Sequence, residues 1–195
     1  RNRQGRTEEI HGLKPNVINQ KGLARTFRNI RLFSNMSVLE NVMIGRHNSL
    51  KAGIFKAIVR DASTRAEEQR VIEESYLILK KLKLDMYVNE MAKNLPYGEQ
   101  RRLEIARALA TDPFLLLLDE PVAGMNAQET KELEETINII RDQEHITILL
   151  IEHDMSLVMD VSERIYVLDY GRLIAEGTPH EIKRNPDVIK AYLGE

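Results

Sequence analysis

The sequence has no cysteine and no tryptophan, only 5% aromatic residues, and six prolines scattered over 195 positions. Without cysteine, a disulfide framework and a thiolate-ligated metal are both excluded, which suits a reducing compartment. Long apolar runs are also missing. The longest runs from Phe114 to Leu118, far short of the roughly 20 residues that a spanning helix needs. Arg1, Arg3 and Arg6 lead no apolar segment, so neither a membrane span nor a signal peptide is expected. Net charge is nearly absent as well, at -2 from 28 Lys+Arg and 30 Asp+Glu. The 43% of hydrophobic residues can build the core of one soluble domain, or of one domain with an inserted lobe, and excludes disorder and collagen-like repeats. Charge is uneven locally. Residues 1–36 hold Arg1, Arg3, Arg6, Lys14, Lys21, Arg25, Arg28 and Arg31 against Glu8 and Glu9, a stretch that suits either an anionic partner or plain solvated surface.

Strand and helix patterns alternate after a helical middle. Gly22 to Phe27 (GLARTF) is a strand candidate. From Ser37 to about Leu84 the pattern is helical, with capping-box spacings at Ser37–Glu40 and Thr64–Glu67. In its second half, Ile72, Tyr76, Leu79 and Leu82 or Lys83 recur on one face. A helix led by Gly98 (GEQRRLEIARALA) precedes Pro113 and FLLLL, a run expected to be a strand buried on both faces of a parallel sheet. Asn126 caps a helix with Leu133, Ile137 and Ile140 on one stripe, and Ile146 to Ile151 (ITILLI) repeats the buried-strand pattern. After the polar turn Glu152-His153-Asp154 comes another short helix. Arg164 to Leu168 and Arg172 to Glu176 flank Tyr170-Gly171 as a hairpin at the sheet edge. Two short helices follow from Pro179, the second near Pro186. The fold class is α/β with a right-handed parallel sheet.

In open parallel sheets, ligands bind beyond the carboxyl ends of the strands. Asp119 and Glu120 directly follow FLLLL. A pair of strand-end carboxylates suits a hydrated magnesium ion and a neighbouring base that polarises water, or Asp119 caps the next turn. The second strand end delivers His153, which either donates to a phosphate oxygen or is structural. Upstream, Leu95-Pro96-Tyr97-Gly98-Glu99-Gln100 opens a helix whose N-terminal amides favour an anion.

The ordered set LPYGEQRRLEIARAL, FLLLLDEP, VAGMN and ILLIEHD resembles the signature motif, Walker B, D-loop and switch histidine of an ABC-type ATPase. The resemblance extends over essentially the whole chain. RTFRNIRLF, MSVLENV and NPDVIKAYLGE narrow it to the ATP-binding subunit of branched-chain amino acid importers. It implies a RecA-like P-loop NTPase core, made of residues 1–36 and 98–195, and a helical subdomain at 37–97. ATP and Mg2+ are the implied cofactors. Asp119 would hold magnesium through its water shell, Glu120 would be the general base, and His153 would contact the γ-phosphate. Leu95, Gly98 and Glu99 would face ATP held by a second nucleotide-binding subunit, and Asn126 would touch that subunit. The helical lobe would dock on transmembrane permease subunits, fed by a periplasmic solute-binding protein, with the chain peripheral on the cytoplasmic membrane face. No nucleic acid is implied. His11, His47, His145 and His180 match no motif and are expected at the surface.

Three departures stand out. Pro96 and Tyr97 replace the usual Ser and Gly of the signature. Arg28 occupies the position at which the family places a magnesium-ligating glutamine. A guanidinium cannot ligate a cation, though it can pair with phosphate. Finally, no G-x-x-x-x-G-K-[ST] loop occurs, so the chain lacks a nest of backbone N–H groups for phosphates. The chain is therefore expected to be a piece of a competent ATPase, inactive without that loop. A rival reading is a non-hydrolysing partner or truncated interaction module that lends its signature face to another subunit. A DNA-repair ATPase with similar motifs would split them around a long coiled coil, and no such heptad run is present.

Overall fold

A computed structural model describes residues 7–46 and 62–193. The chain divides after Ile151 into two compact units. In the larger one, three parallel strands lie in the order β1 (Leu23–Arg25), β2 (Leu115–Asp119), β3 (Thr147–Ile151). The register sets Leu23 opposite Leu115 and Arg25 opposite Leu117 on one side of β2, and Leu115 opposite Thr147 and Asp119 opposite Ile151 on the other. Consecutive leucines between Pro113 and Asp119 make β2 the central strand. Leu116 and Leu118 are wholly buried, and Leu115 and Leu117 partly so.

β3 departs from expectation. Its burial alternates, with Leu149 and Ile151 about half exposed at 50% and 48%. It ends the sheet order and is paired on one side alone, and no described residue buries the row Thr147, Leu149, Ile151. Apolar character marked a strand here, but coverage of its second face depends on elements remote in sequence.

Among the described residues this unit has five α-helices: α1 (Pro15–Gln20), α2 (Val38–Arg46), α3 (Ala62–Lys81), α4 (Tyr97–Leu109) and α5 (Ala127–Asp142). α2 packs against α3 and α4, and α4 against α5. Ahead of α2, the expected capping box is present. The Ser37 N–H donates to Glu40 Oε2 at 2.7 Å and the Glu40 N–H to Ser37 Oγ at 3.1 Å. The second such spacing falls on Thr64, whose side chain lies outside the described residues. On α3 the buried stripe takes in Ser75 and Leu79 and continues to Leu82 just past its end, whereas Tyr76 is exposed. The stripe lies one position away from Tyr76, where a small side chain packs. Leu133, Ile137 and Ile140 of α5 are buried as the spacing predicts.

The smaller unit begins with α6 (Met155–Val161), capped by Asp154, which accepts from the Ser156 and Leu157 amides. β4 (Ile165–Asp169) and β5 (Arg172–Gly177) pair antiparallel. Tyr170 and Gly171, at φ 44° and 77°, make the two-residue turn, as the hairpin signal predicts. The hairpin forms a two-stranded sheet of its own, not the edge of the parallel sheet. Ile165, Val167 and Ala175 on its inner face are buried with Ile182 and Val188 from the tail helices α7 (Pro179–Ile182) and α8 (Pro186–Val188). His11, His145 and His180 are exposed as expected, while His47 lies outside the described residues.

Two outcomes are expected. A Cβ at Gly45 would come within 2.4 Å of the Arg107 carbonyl oxygen and 2.8 Å of Ala110 Cβ, so Gly45→Ala forces α2 off α4. It should cost about 1–3 kcal/mol in urea unfolding. Hydrogen bonds from Ser37 hold the Glu40 carboxyl below its ordinary value of 4.5. A depressed folded value means that this stabilisation is full above that pH and fades as pH falls through the lowered one. The stability gap between wild type and Glu40→Gln should therefore close on acidification, as unfolding at pH 7 and pH 3 would measure.

Candidate active site

Parallel pairing brings the carboxyl ends of β1, β2 and β3 to one edge of the sheet. Asp119 is the last residue of β2 and Arg25 the last of β1, and Arg25 Nη2 donates to Asp119 Oδ2 at 2.6 Å. One residue further on, Arg28 Nη2 lies 3.0 Å from Glu120 Oε2. Both carboxylate side chains are about a fifth exposed, at 22% and 21%, and both arginine side chains are more than half exposed. Each acid predicted to act on ligand or water thus faces an arginine. The capping alternative for Asp119 is not what the structure shows: its oxygen accepts from Arg25.

The backbone at Glu120 is unusual. Its φ of 44° lies in the left-handed region, disfavoured for a side chain that branches from a Cβ. The Glu120 N–H donates to the Ile151 carbonyl at 2.8 Å and its carbonyl accepts from Ala123 N–H at 3.3 Å. These bonds aim the side chain off the strand axis at the sheet edge.

A second group gathers at the start of α4. Pro96 stands at the N-cap with φ -52° and ψ 159° but supplies no side-chain acceptor. The first turn instead leans on α5 and the turn before it. Tyr97 Oη donates to the Ala123 carbonyl at 2.9 Å, and the Gly98 N–H to Glu129 Oε1 at 3.2 Å. Glu129 Oε2 accepts from the Asn126 N–H at 2.9 Å, closing a capping box with Asn126 Oδ1. A Cβ on Gly98 would sit 3.0 Å from Glu129 Cγ, so any larger residue there would press on the Glu129 side chain. Leu95 is buried, its carbonyl bonded to Gln100 Nε2 at 2.8 Å, and Glu99 pairs with Arg102 at 3.0 Å. Gly98 and Asn126 are thus joined through one carboxylate.

His153 stands in the smaller unit, just before α6. Its side chain is 72% exposed, and its N–H donates to Glu152 Oε2 at 2.9 Å. The Glu152 side chain, 1% exposed, also accepts from the Asp154 N–H at 3.3 Å. Sequence reasoning missed Arg25, Tyr97 and Glu129. For Glu129 the signal existed, since it follows Asn126 at the capping-box spacing.

Magnesium suits Asp119 as a lone carboxylate, because this ion keeps several waters and takes few protein oxygens. Among the described residues no group of three or more His, Asp or Glu is poised to enclose a metal. Of the basic stretch, Lys21 pairs with Glu8, and Arg25 and Arg28 with the two acids, while the Arg31 guanidinium lies over the Phe27 ring at 4.7 Å. A cleft of about 390 Å³ between Leu77, Leu82, Leu109, Phe114, Ile140 and Ile146 opens at the amino ends of β2 and β3. It is at the wrong edge for the predicted chemistry.

Residues 4–123 match the family described as ABC transporter. The chain belongs to the ABC transporter family. Residues 172–195 also match the branched-chain amino acid ATP-binding cassette transporter family. Over 190 residues the chain is 47% identical to the high-affinity branched-chain amino acid transport ATP-binding protein LivG of Escherichia coli K12, covering 97% of this chain and 74% of that one. The corresponding protein BraF of Pseudomonas aeruginosa is 45% identical, with coverages of 96% and 74%. Among solved structures, an ATP-binding cassette in its ADP conformation superposes with a TM-score of 0.76 at 27% identity, covering 97% of this chain and 75% of that one. A nucleotide-free cassette does so at 0.73 and 30%, with coverages of 96% and 75%. The RecA-like α/β fold read from the motifs is therefore that of this ABC cassette.

Because Glu129 satisfies two amides at once, Glu129→Ala should cost about 1–2 kcal/mol. The Gly98 amide should then exchange faster with solvent than in wild type, as hydrogen-exchange NMR would measure.

Proposed function

We propose that the chain is the ATP-hydrolysing subunit of an importer for branched-chain amino acids. The observation that carries this reading is the pair Asp119–Glu120 at the carboxyl edge of the parallel sheet, each acid countered by an arginine, in a chain 47% identical to LivG. Glu120 orients the attacking water and accepts its proton. Asp119 would hold a hydrated magnesium ion, which when bound would supply charge neutralisation for the phosphates. His153 donates to the γ-phosphate. Leu95, Gly98 and Glu99 present the N-terminus of α4 to ATP on a second nucleotide-binding subunit, where Asn126 also makes contact. To act, both acids must exchange their arginines for ligand and water, which leaves Arg25 and Arg28 to pair with phosphate oxygens.

Residues 1–36 and 98–195 form the ATPase core in this reading, and residues 37–97 the lobe that docks on permease subunits, served in turn by a periplasmic binding protein. The subunit works peripherally on the cytoplasmic face of the membrane. No described helix is long and apolar enough to cross it. A second reading, a non-hydrolysing partner, is favoured by Arg28, whose guanidinium faces Glu120 where the family has a neutral amide.

The test uses protein with a Walker A loop upstream of Arg1. Glu120→Gln should keep ATP binding and lose hydrolysis by about 10² or more, and Arg28→Gln should raise turnover. If wild type and Arg28→Gln both bind ATP but never hydrolyse it, the non-hydrolysing reading replaces the first.

A further inference from the structure

Arg101, on α4, has no exposure to solvent, and Glu104 one turn on has 2%. A buried ion pair recovers its desolvation cost poorly, and apolar side chains of the same volume commonly stabilise a fold as well or better. The cost is not fully met here either, because among the described residues Arg101 Nε has no acceptor. What the pair does achieve is a grip on one stretch of irregular backbone. Arg101 Nη1 donates to the Phe27 carbonyl at 2.6 Å and to Glu104 Oε2 at 2.8 Å, and Nη2 donates to the Arg28 carbonyl. The other oxygen of Glu104 accepts from the Arg31 N–H at 3.1 Å. Phe27, Arg28 and Arg31 follow β1 with no helix or strand of their own to fix them.

The side chain of the gripped Arg28 is the one that meets Glu120. Gly98, whose amide bonds Glu129, lies one helical turn before Arg101 on the same helix. We propose that Arg101 is a positioning residue that sets Arg28 against Glu120, tying the first turn of α4 to the acid edge of the sheet. This rests on Glu120 being the group that activates water. A displacement of α4 pulls on the two carbonyls and withdraws the Arg28 guanidinium, freeing Glu120. The role calls for arginine, since its planar fork spans two neighbouring carbonyls and a carboxylate, which a lysine ammonium cannot do in one geometry.

The test reads the Arg28 guanidinium by 15N NMR in the whole chain without nucleotide. Arg28→Gln assigns its signals, and Glu120→Gln gives the position of an unpaired Arg28. Arg101→Lys should move the Arg28 signal most of the way to that reference, and the milder Glu104→Gln part of the way. An Arg28 signal left at its wild-type position in the folded variants overturns the proposal and leaves the pair a purely structural role. If Arg101→Lys fails to fold, Glu104→Gln decides by the same criterion. In protein with a phosphate loop, Arg101→Lys should raise turnover about threefold, as Arg28→Gln does, and add less than about twofold on top of Arg28→Gln. A fall in turnover that is equal in both backgrounds also overturns it. Complete inertness of all forms would instead sink the ATPase reading, while the NMR result would still decide where Arg101 sets Arg28.

Discussion

Parallel pairing obliges neighbouring strands to finish at the same edge. β2 is hydrogen-bonded on both sides, so the residues that end β1, β2 and β3 are delivered to one place, however far apart in sequence. This is how Arg25 comes to touch Asp119 across 94 positions. It is also how the carbonyl of Ile151, at the end of β3, fixes the amide of Glu120. The helices are arranged around this constraint. α4 leads into β2 and starts beside α5, which leaves β2 by the turn containing Glu120. One strand therefore anchors both groups of candidate site residues.

What could be read in the sequence was local. Five apolar residues closed by Asp and Glu identified β2, Asn126 identified the start of α5, and Tyr170-Gly171 identified a two-residue hairpin turn that the backbone angles bear out. The motif order named the family before any coordinates. What could not be read depended on partners from elsewhere in the chain. ITILLI is nearly as apolar as FLLLL, yet half of its side chains lie open because the coverage of a strand is settled by other segments. The hairpin was recognisable, but not that it would close a sheet with its own tail helices. Arg101 is the sharpest case. Arginine is among the residues least often buried, and nothing in LPYGEQRRLEIARAL distinguishes the wholly buried Arg101 from Arg102, which keeps 6% exposure.

The Glu129 carboxylate shows how one residue can serve folding and site geometry together. As the third residue of α5 it completes a cap on its own helix, and its second oxygen supplies the acceptor that Pro96 cannot give to α4. Helix N-termini leave amides unsatisfied. Here two of them share a single anion. Tyr97, where the family more often has glycine, adds a phenol anchored on the Ala123 carbonyl, so the altered signature gains a tether that a smaller residue would not provide.

The left-handed backbone at Glu120 carries a different implication. A glycine at this position would adopt the same φ without steric cost, whereas an L-residue with a Cβ gives up about 1–2 kcal/mol there. The residue that best suits the fold and the residue present are therefore not the same. Stability alone would erode this glutamate, and its carboxylate occupies a conformation that the backbone tolerates at a loss. Thermal tolerance and the proposed chemistry thus pull in opposite directions at position 120, and a search for hardier variants of this chain would find an easy gain by discarding the carboxylate proposed to orient the attacking water.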